Sequence, residues 1–178
     1  MTNDKQDVNE FWHMTQGQLK NIIDAFAEIT WPAPADAVNW LLVRLGWERV
    51  RLRVARMDAL AQYGAASIGL ADSEREEDAL FDTLRFAVTD IVAAPSGVQM
   101  YQTMVGWISE IIESPVATRE PSPYPDAEPD FPTAWWDLNS GGGVQLYFIN
   151  GAVKMELMSK DTAEGERFDR DHPEYTDS

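Results

Sequence analysis

The sequence predicts an α+β domain: an antiparallel sheet of five or six strands with two to three helices packed on one face. Three observations carry that expectation. Thr15-Gln16-Gly17-Gln18 and Ser96-Gly97-Val98-Gln99 both fit a capping box ahead of apolar residues recurring at three and four. Several later segments alternate apolar and polar residues, the period of a half-buried strand. Asn150-Gly151 is the preferred pair for a two-residue type I′ hairpin turn, where both central positions need positive φ. With 178 residues the chain has room for one domain of ordinary size, and its 44% hydrophobic composition with seven Trp can fill a core.

The first helix is expected from near residue 16, with Met14 and Leu19 as a hydrophobic staple and Leu19, Ile22, Ile23, Phe26 and Ile29 as the buried stripe. Trp31-Pro32-Ala33-Pro34 ends it and offers Pro34 as the first residue of a second helix. That helix runs to about Leu45, has Val38, Leu41, Leu42 and Leu45 as its apolar face, and stops at Gly46 in a left-handed conformation. Val50, Leu52 and Val54 then alternate with Arg49, Arg51 and Arg53, which on one strand places three guanidinium groups on one face. A helix continuing through Arg56, Met57 and Leu60 is the alternative for residues 48–63. Ala66 to Ala71 reads as a short strand, Asp72 to Asp78 as a charged turn, and Leu80 to Val92 as a long strand with Leu84, Phe86 and Val88 on one face.

Ser96 opens a third helix that must stop before Pro115. Its apolar surface is broad: Val98, Tyr101, Val105, Ile108 and Ile112 make one stripe and Met100, Met104, Trp107 and Ile111 the next. Such a helix is central to the core or part of an interface. Residues 114–132 hold six of the ten prolines, so they exclude a helix or an inner strand and read as a long loop. Counting outward from Asn150-Gly151 pairs Phe148 with Val153, Leu146 with Met155 and Val144 with Leu157 on one face. On the other face it pairs Tyr147 with Lys154 and Gln145 with Glu156. Thr133 to Asn139 adds a strand that sends Trp135 and Trp136 to opposite sides of the sheet. The expected organisation is a mobile segment over 1–15, a domain over 16–160 and an acidic tail over 161–178, where Phe168 is nearly alone as a buriable group and the sequence allows a short final helix before a frayed end.

Thirty Asp and Glu against fourteen Lys and Arg give a formal charge of −16. That sign opposes nucleic-acid and anionic-membrane binding, which depend on basic groups displacing counterions, and favours encounter with a basic protein surface. With no Cys the chain has no disulfide, thiolate site or cysteine nucleophile. Residues 1–15 lack the apolar run of a secretory signal and no segment reaches the length of a membrane span, so a cytoplasmic location is expected. His13 and His172 have no ligand or base at helical spacing, and Gly141-Gly142-Gly143 lies between strands with no helix N-terminus to hold phosphate. No catalytic, metal or cofactor residue is assigned.

What the sequence offers instead is an interaction surface. Asp126, Glu128 and Asp130 in the proline-rich loop, and Asp72, Glu74, Glu76, Glu77 and Asp78 in the charged turn, would steer a cationic partner. Trp135 or Trp136 would anchor it if one indole is exposed, the layout of a binding hot spot; core packing of both is the alternative.

Several segments support a resemblance: Leu45-Gly46-Trp47-Glu48, Phe86-Ala87-Val88-Thr89-Asp90-Ile91-Val92, Thr133-Ala134-Trp135-Trp136-Asp137-Leu138 and Gly142-Gly143-Val144-Gln145-Leu146. In this order the chain resembles an uncharacterised family of small acidic actinobacterial α+β proteins over most of residues 16–160. The family's members are similar in organisation to cytoplasmic immunity proteins, and the resemblance brings no catalytic residue. It implies a non-catalytic module, an immunity protein or dedicated chaperone that neutralises a basic partner such as a toxin. A small-ligand binder or enzyme with a pocket between the broad helix and the sheet, and a protein self-associating through residues 100–111, are the alternatives.

Overall fold

The computed structural model describes residues 11–57, 64–71, 78–113, 117–119 and 131–172. Helix α1 spans Gln16–Ala27 and carries both bonds of its capping box: the Thr15 hydroxyl accepts from the Gln18 amide at 3.2 Å, and the Gln18 side chain accepts from the Thr15 amide at 2.8 Å. Helix α2, Ala37–Leu45, ends on Gly46 at φ 71°. It does not begin at Pro34, which is drawn instead into a bridge with Leu80. Helix α3, Ala94–Ile112, starts earlier than its sequence signal: Ala93 is the N-cap, no side chain caps it, and Pro95 sits in the first turn where an amide has no partner to lose.

The strands are β1 Glu48–Arg51, β2 Val54–Arg56, β3 Ala65–Ala71, β4 Leu80–Ala87, β5 Ala117–Arg119, β6 Thr133–Asp137, β7 Gly143–Ile149 and β8 Ala152–Met158; helix α4, Lys160–Asp171, closes the described chain. The fold is α+β, but the expected strand and helix numbers are corrected. Among the described residues, one sheet holds eight strands in the order β1-β2-β3-β4-β8-β7-β6-β5, every neighbour antiparallel, and four helices accompany it. It consists of two four-stranded meanders joined where β4 pairs β8.

The expected single strand over Arg49–Val54 is a hairpin: β1 turns at Leu52 and Arg53 and returns as β2, with Arg49 opposite Ala55. The three guanidinium groups therefore do not share one strand face. The rest of the 48–63 question, residues 58–63, lies outside the described residues. At the far end the Asn150-Gly151 turn takes φ 52° and 82°, and all five residue pairs expected across it are present.

Helices α1, α2 and α3 cover one face. Phe26 of α1 meets Phe81 at 6.4 Å between ring centroids, Trp47 meets Phe86 at 5.0 Å, and the Trp136 indole reaches Ser109 of α3 at 3.4 Å. Met104, Ile108, Val144, Leu146, Met155 and Leu157 are fully enclosed between them. The middle of α3 is thus packed directly on the sheet, a cavity of about 440 Å³ lies at its C-terminal end among Ile111, Ile112, Asp137 and Leu138, and no large apolar side chain of α3 is among the exposed ones. The short final helix allowed beyond residue 161 is α4, and it lies on the opposite face, so the expectation that the helices pack on one side is corrected.

Candidate functional site

Strand alternation places a polar array on the outer face, the side away from α1–α3. Reading across the sheet, Ser67, Arg85, Glu156, Gln145, Trp135 and Ala117 form one row. Ala87, Lys154, Tyr147, Thr133 and Arg119 form the next. Helix α4 covers one end of this face, and the other end is an open concavity of about 490 Å³ bounded by Ser67, Arg85, Ile91, Tyr147, Asn150 and Lys154. The small residues Ala65, Ala87 and Ala152 make its floor low.

Arg85, on its border, belongs to an ion pair with a residue outside the lining. Arg85 Nε lies 2.9 Å from Glu156 Oε1, with the arginine side chain 57% exposed and the glutamate 9%. Burial pushes the Glu156 carboxyl above its ordinary range, and the hydrogen bond and charge of Arg85 pull it back only in part. Burial also acts to lower the Arg85 pKa, but the bond and charge of Glu156 outweigh it and the net direction is upward. The asymmetry follows from exposure: the carboxylate loses most of its water and the guanidinium does not. Tyr147 is raised by burial first and by the Glu156 charge second, so its hydroxyl remains a donor at neutral pH.

The covered end is organised by α4. Ser159 caps the helix by accepting from the Thr162 amide at 3.3 Å, and its hydroxyl donates to Asp82 Oδ1 at 2.9 Å. Thr162 donates to the same carboxylate oxygen. Ala163 packs with Trp135 and Met158, Arg167 reaches Asp137 at 2.9 Å, and the Arg170 guanidinium lies 5.1 Å from the Trp135 ring centroid. Two of the helix's three cations are therefore turned toward the sheet. Its solvent side presents Asp161, Glu164, Phe168 and Asp171 at spacings of three and four, one stripe. Phe168 is 51% exposed and stacks on His172 with 4.3 Å between centroids.

The tryptophan anchor expected at Trp135 or Trp136 is corrected: the two indoles do face opposite sides, but they are 6% and 1% exposed. Both faces of the sheet are covered at this point, one by α4 and one by α3, so core packing accounts for the pair. Asp72, Glu74, Glu76, Glu77, Asp126, Glu128 and Asp130 lie outside the described residues, as do residues 1–10 and 173–178 of the expected terminal segments; Asp78 is exposed. Among the described residues, the hydrogen bonds made by Arg49 and Arg53 go to uncharged groups. Arg49 donates to Asn39 Oδ1 at 2.8 Å and to the Leu52 carbonyl, and Arg53 donates to the Leu70 carbonyl at 3.4 Å, all neutral acceptors. Sequence reasoning missed the half-exposed Phe168 as an aromatic among acids, although the signal was there: it is nearly the only large apolar residue beyond 161.

No helix among the described residues is long and apolar enough to cross a membrane, and no three His, Asp or Glu among them are grouped to hold a metal ion. A model of the family of unknown function DUF6301 matches residues 17–159. The chain belongs to that family. The interval ends on Ser159, the N-cap of α4. The sheet and its concavity thus fall inside the matched region and α4 outside it. No curated protein and no solved structure matches the chain.

Proposed function

We propose that this DUF6301 protein is a non-catalytic binding module that docks a basic protein partner through the solvent side of α4, in the manner of an immunity protein or dedicated chaperone. The observation that carries the reading is Phe168: a large aromatic side chain, half exposed, between Glu164 and Asp171 on a helix whose other carboxylates are Asp161, Glu166 and Asp169. Among the five, only Glu164 is in a salt bridge within the described residues, at 3.8 Å from Lys160. An exposed aromatic inside an acidic rim is the composition of an anchor with steering charges. The net charge of −16 extends the attraction to a cationic surface.

The test is kinetic. The partner to try is to be sought among the products of adjacent genes, where a secreted protein with a basic C-terminal domain would be the candidate. Raising salt from about 50 to about 500 mM should slow association at least tenfold while dissociation changes little, because screening acts on encounter. Phe168→Ala should chiefly raise the off-rate. An on-rate indifferent to salt removes the electrostatic part, and binding unchanged by reversing Asp161, Glu164 and Asp171 to Lys removes α4 as the surface.

A further inference from the structure

The open concavity on the outer face is independent of α4 and carries a second reading. We infer that it is a binding site for a small organic carboxylate with an apolar body, the anionic head on Arg85 and Lys154 and the body over Ala65, Ala87 and Ala152. The first argument is the way Arg85 is held. Glu156 takes its Nε at 2.9 Å, which fixes the plane of the guanidinium from the side and leaves the Nη1 and Nη2 edge as a two-pronged donor, the geometry that a carboxylate meets with two parallel bonds. A side chain tethered in this way needs less ordering when the ligand arrives.

The second argument is charge. Lys154 forms no ion pair among the described residues, and it stands opposite Tyr147 and Ala87 in the register. With Arg85 balanced by Glu156, the concavity keeps one positive charge that no described residue compensates, in a chain of net charge −16. One excess cation matches a monoanion. A phosphate dianion would add repulsion from Glu156, and from Asp82 and Glu166, whose charges also reach that carboxylate. Size is the third argument: about 490 Å³ lies in the range of small-molecule sites. Its apolar part, the three alanines with Ile91 at the rim, has nothing to recognise in a bare ion.

The experiment titrates the full chain with sodium hexanoate, hexanamide and inorganic phosphate while amide chemical shifts are followed by NMR. Hexanoate should saturate and move the amides of Ser67, Arg85, Asn150 and Lys154, with hexanamide at least about tenfold weaker, the cost of losing a charge-assisted pair. Arg85→Lys keeps a cation beside Glu156 but removes the two-pronged edge, and should weaken hexanoate about tenfold. Lys154→Gln, at a partly exposed position with no partner to orphan, should weaken it similarly with the fold intact. Equal binding of hexanamide, tighter binding of phosphate, or shifts scattered over the surface would each overturn the proposal. None of these outcomes bears on α4, whose own test uses a protein partner.

Discussion

Trp135 and Trp136 are adjacent in sequence, similarly buried, and predicted to behave differently when truncated. Trp136 stands at 1% exposure in the main core, between the sheet and α3, with Ser109 at its indole nitrogen. Truncating such a residue costs about 3–5 kcal/mol in lost transfer energy and residual cavity. For a domain of this size each kcal/mol lowers Tm by about 2–4 °C, so Trp136→Ala should lower it by about 6–20 °C. Trp135 belongs to a small cluster with Met158 and Ala163, roofed by α4 and the Arg170 guanidinium. Its removal takes away the floor on which α4 rests, and the helix can settle into the gap or lift. Trp135→Ala should therefore lose less than half the Tm of Trp136→Ala, while amide protection in 163–171 falls and that in β7 and β8 holds. Thermal unfolding by circular dichroism with hydrogen exchange on both variants decides it. Equal Tm losses, or α4 protection unchanged in Trp135→Ala, would refute the division of the sheet into a core face and an α4 face.

Two further outcomes follow from local geometry. Alanine is the better helix former by about 1 kcal/mol, yet Gly97→Ala should destabilise: a Cβ there would lie 2.3 Å from Phe148 Cε2 and 2.7 Å from Cζ, and overpacking costs about 1–3 kcal/mol; a gain in Tm would contradict the packing of α3 on β7. Glu156 should make stability fall, not rise, with pH. An acid whose native pKa lies above its unfolded value holds its proton more tightly when folded. Its contribution is therefore present below the ordinary glutamate value near 4.3 and is lost as pH rises through the raised native value. Glu156→Gln should match the parent near pH 4 and become the more stable of the two toward pH 7, leaving behind an Arg85 that is mostly solvated. A Gln variant that loses ground as pH rises would show that the ion pair outweighs its burial.

What was legible in the sequence was the local chemistry that acts within a few residues. Thr15 and Gln18 sit where their hydrogen bonds require, Gly46 takes the left-handed conformation, and Asn150-Gly151 fixes seven cross-strand partners through one turn. What was lost lacked a local marker. The β1–β2 turn falls on Leu52-Arg53, with no Gly, Pro, Asn or Asp to announce it, so two short strands read as one. Strand β5 is three residues at the sheet edge inside a proline-rich stretch, the position where such a sequence can still pair. Helix α4 gave a weaker signal: it has no apolar stripe, because its Thr162, Arg167 and Arg170 side chains dock on Asp82, Asp137 and the Trp135 ring through polar more than apolar contacts. For the site, the tryptophan pair drew attention because large aromatics are prominent in sequence, whereas Phe168 stands out only once its helix is placed.

The attachment of α4 is uneven along its length, and that bears on how it can serve as a docking element. At its start, Asp82 accepts from both Ser159 and Thr162, and Ala163 is buried. Toward its end the contacts are an Arg167–Asp137 pair with both side chains about one-third exposed and the Arg170–Trp135 stack. There Trp135 Nε1 and Arg170 Nη2 are buried with no acceptor, and burial lowers the Arg170 pKa against the pull of Asp137, Glu166 and Asp171. A buried donor without an acceptor costs about 1–3 kcal/mol, enough to offset much of what the stack contributes. The first turn of α4 is thus fixed by paired hydrogen bonds to Asp82 and a buried Ala163. The groups that receive the helix, Asp82, Trp135 and Asp137, lie inside the family-matched region, while the groups proposed to meet a partner lie beyond it. Under the proposed reading, the family-matched scaffold supplies the seat and the chain beyond Ser159 the surface that meets the partner.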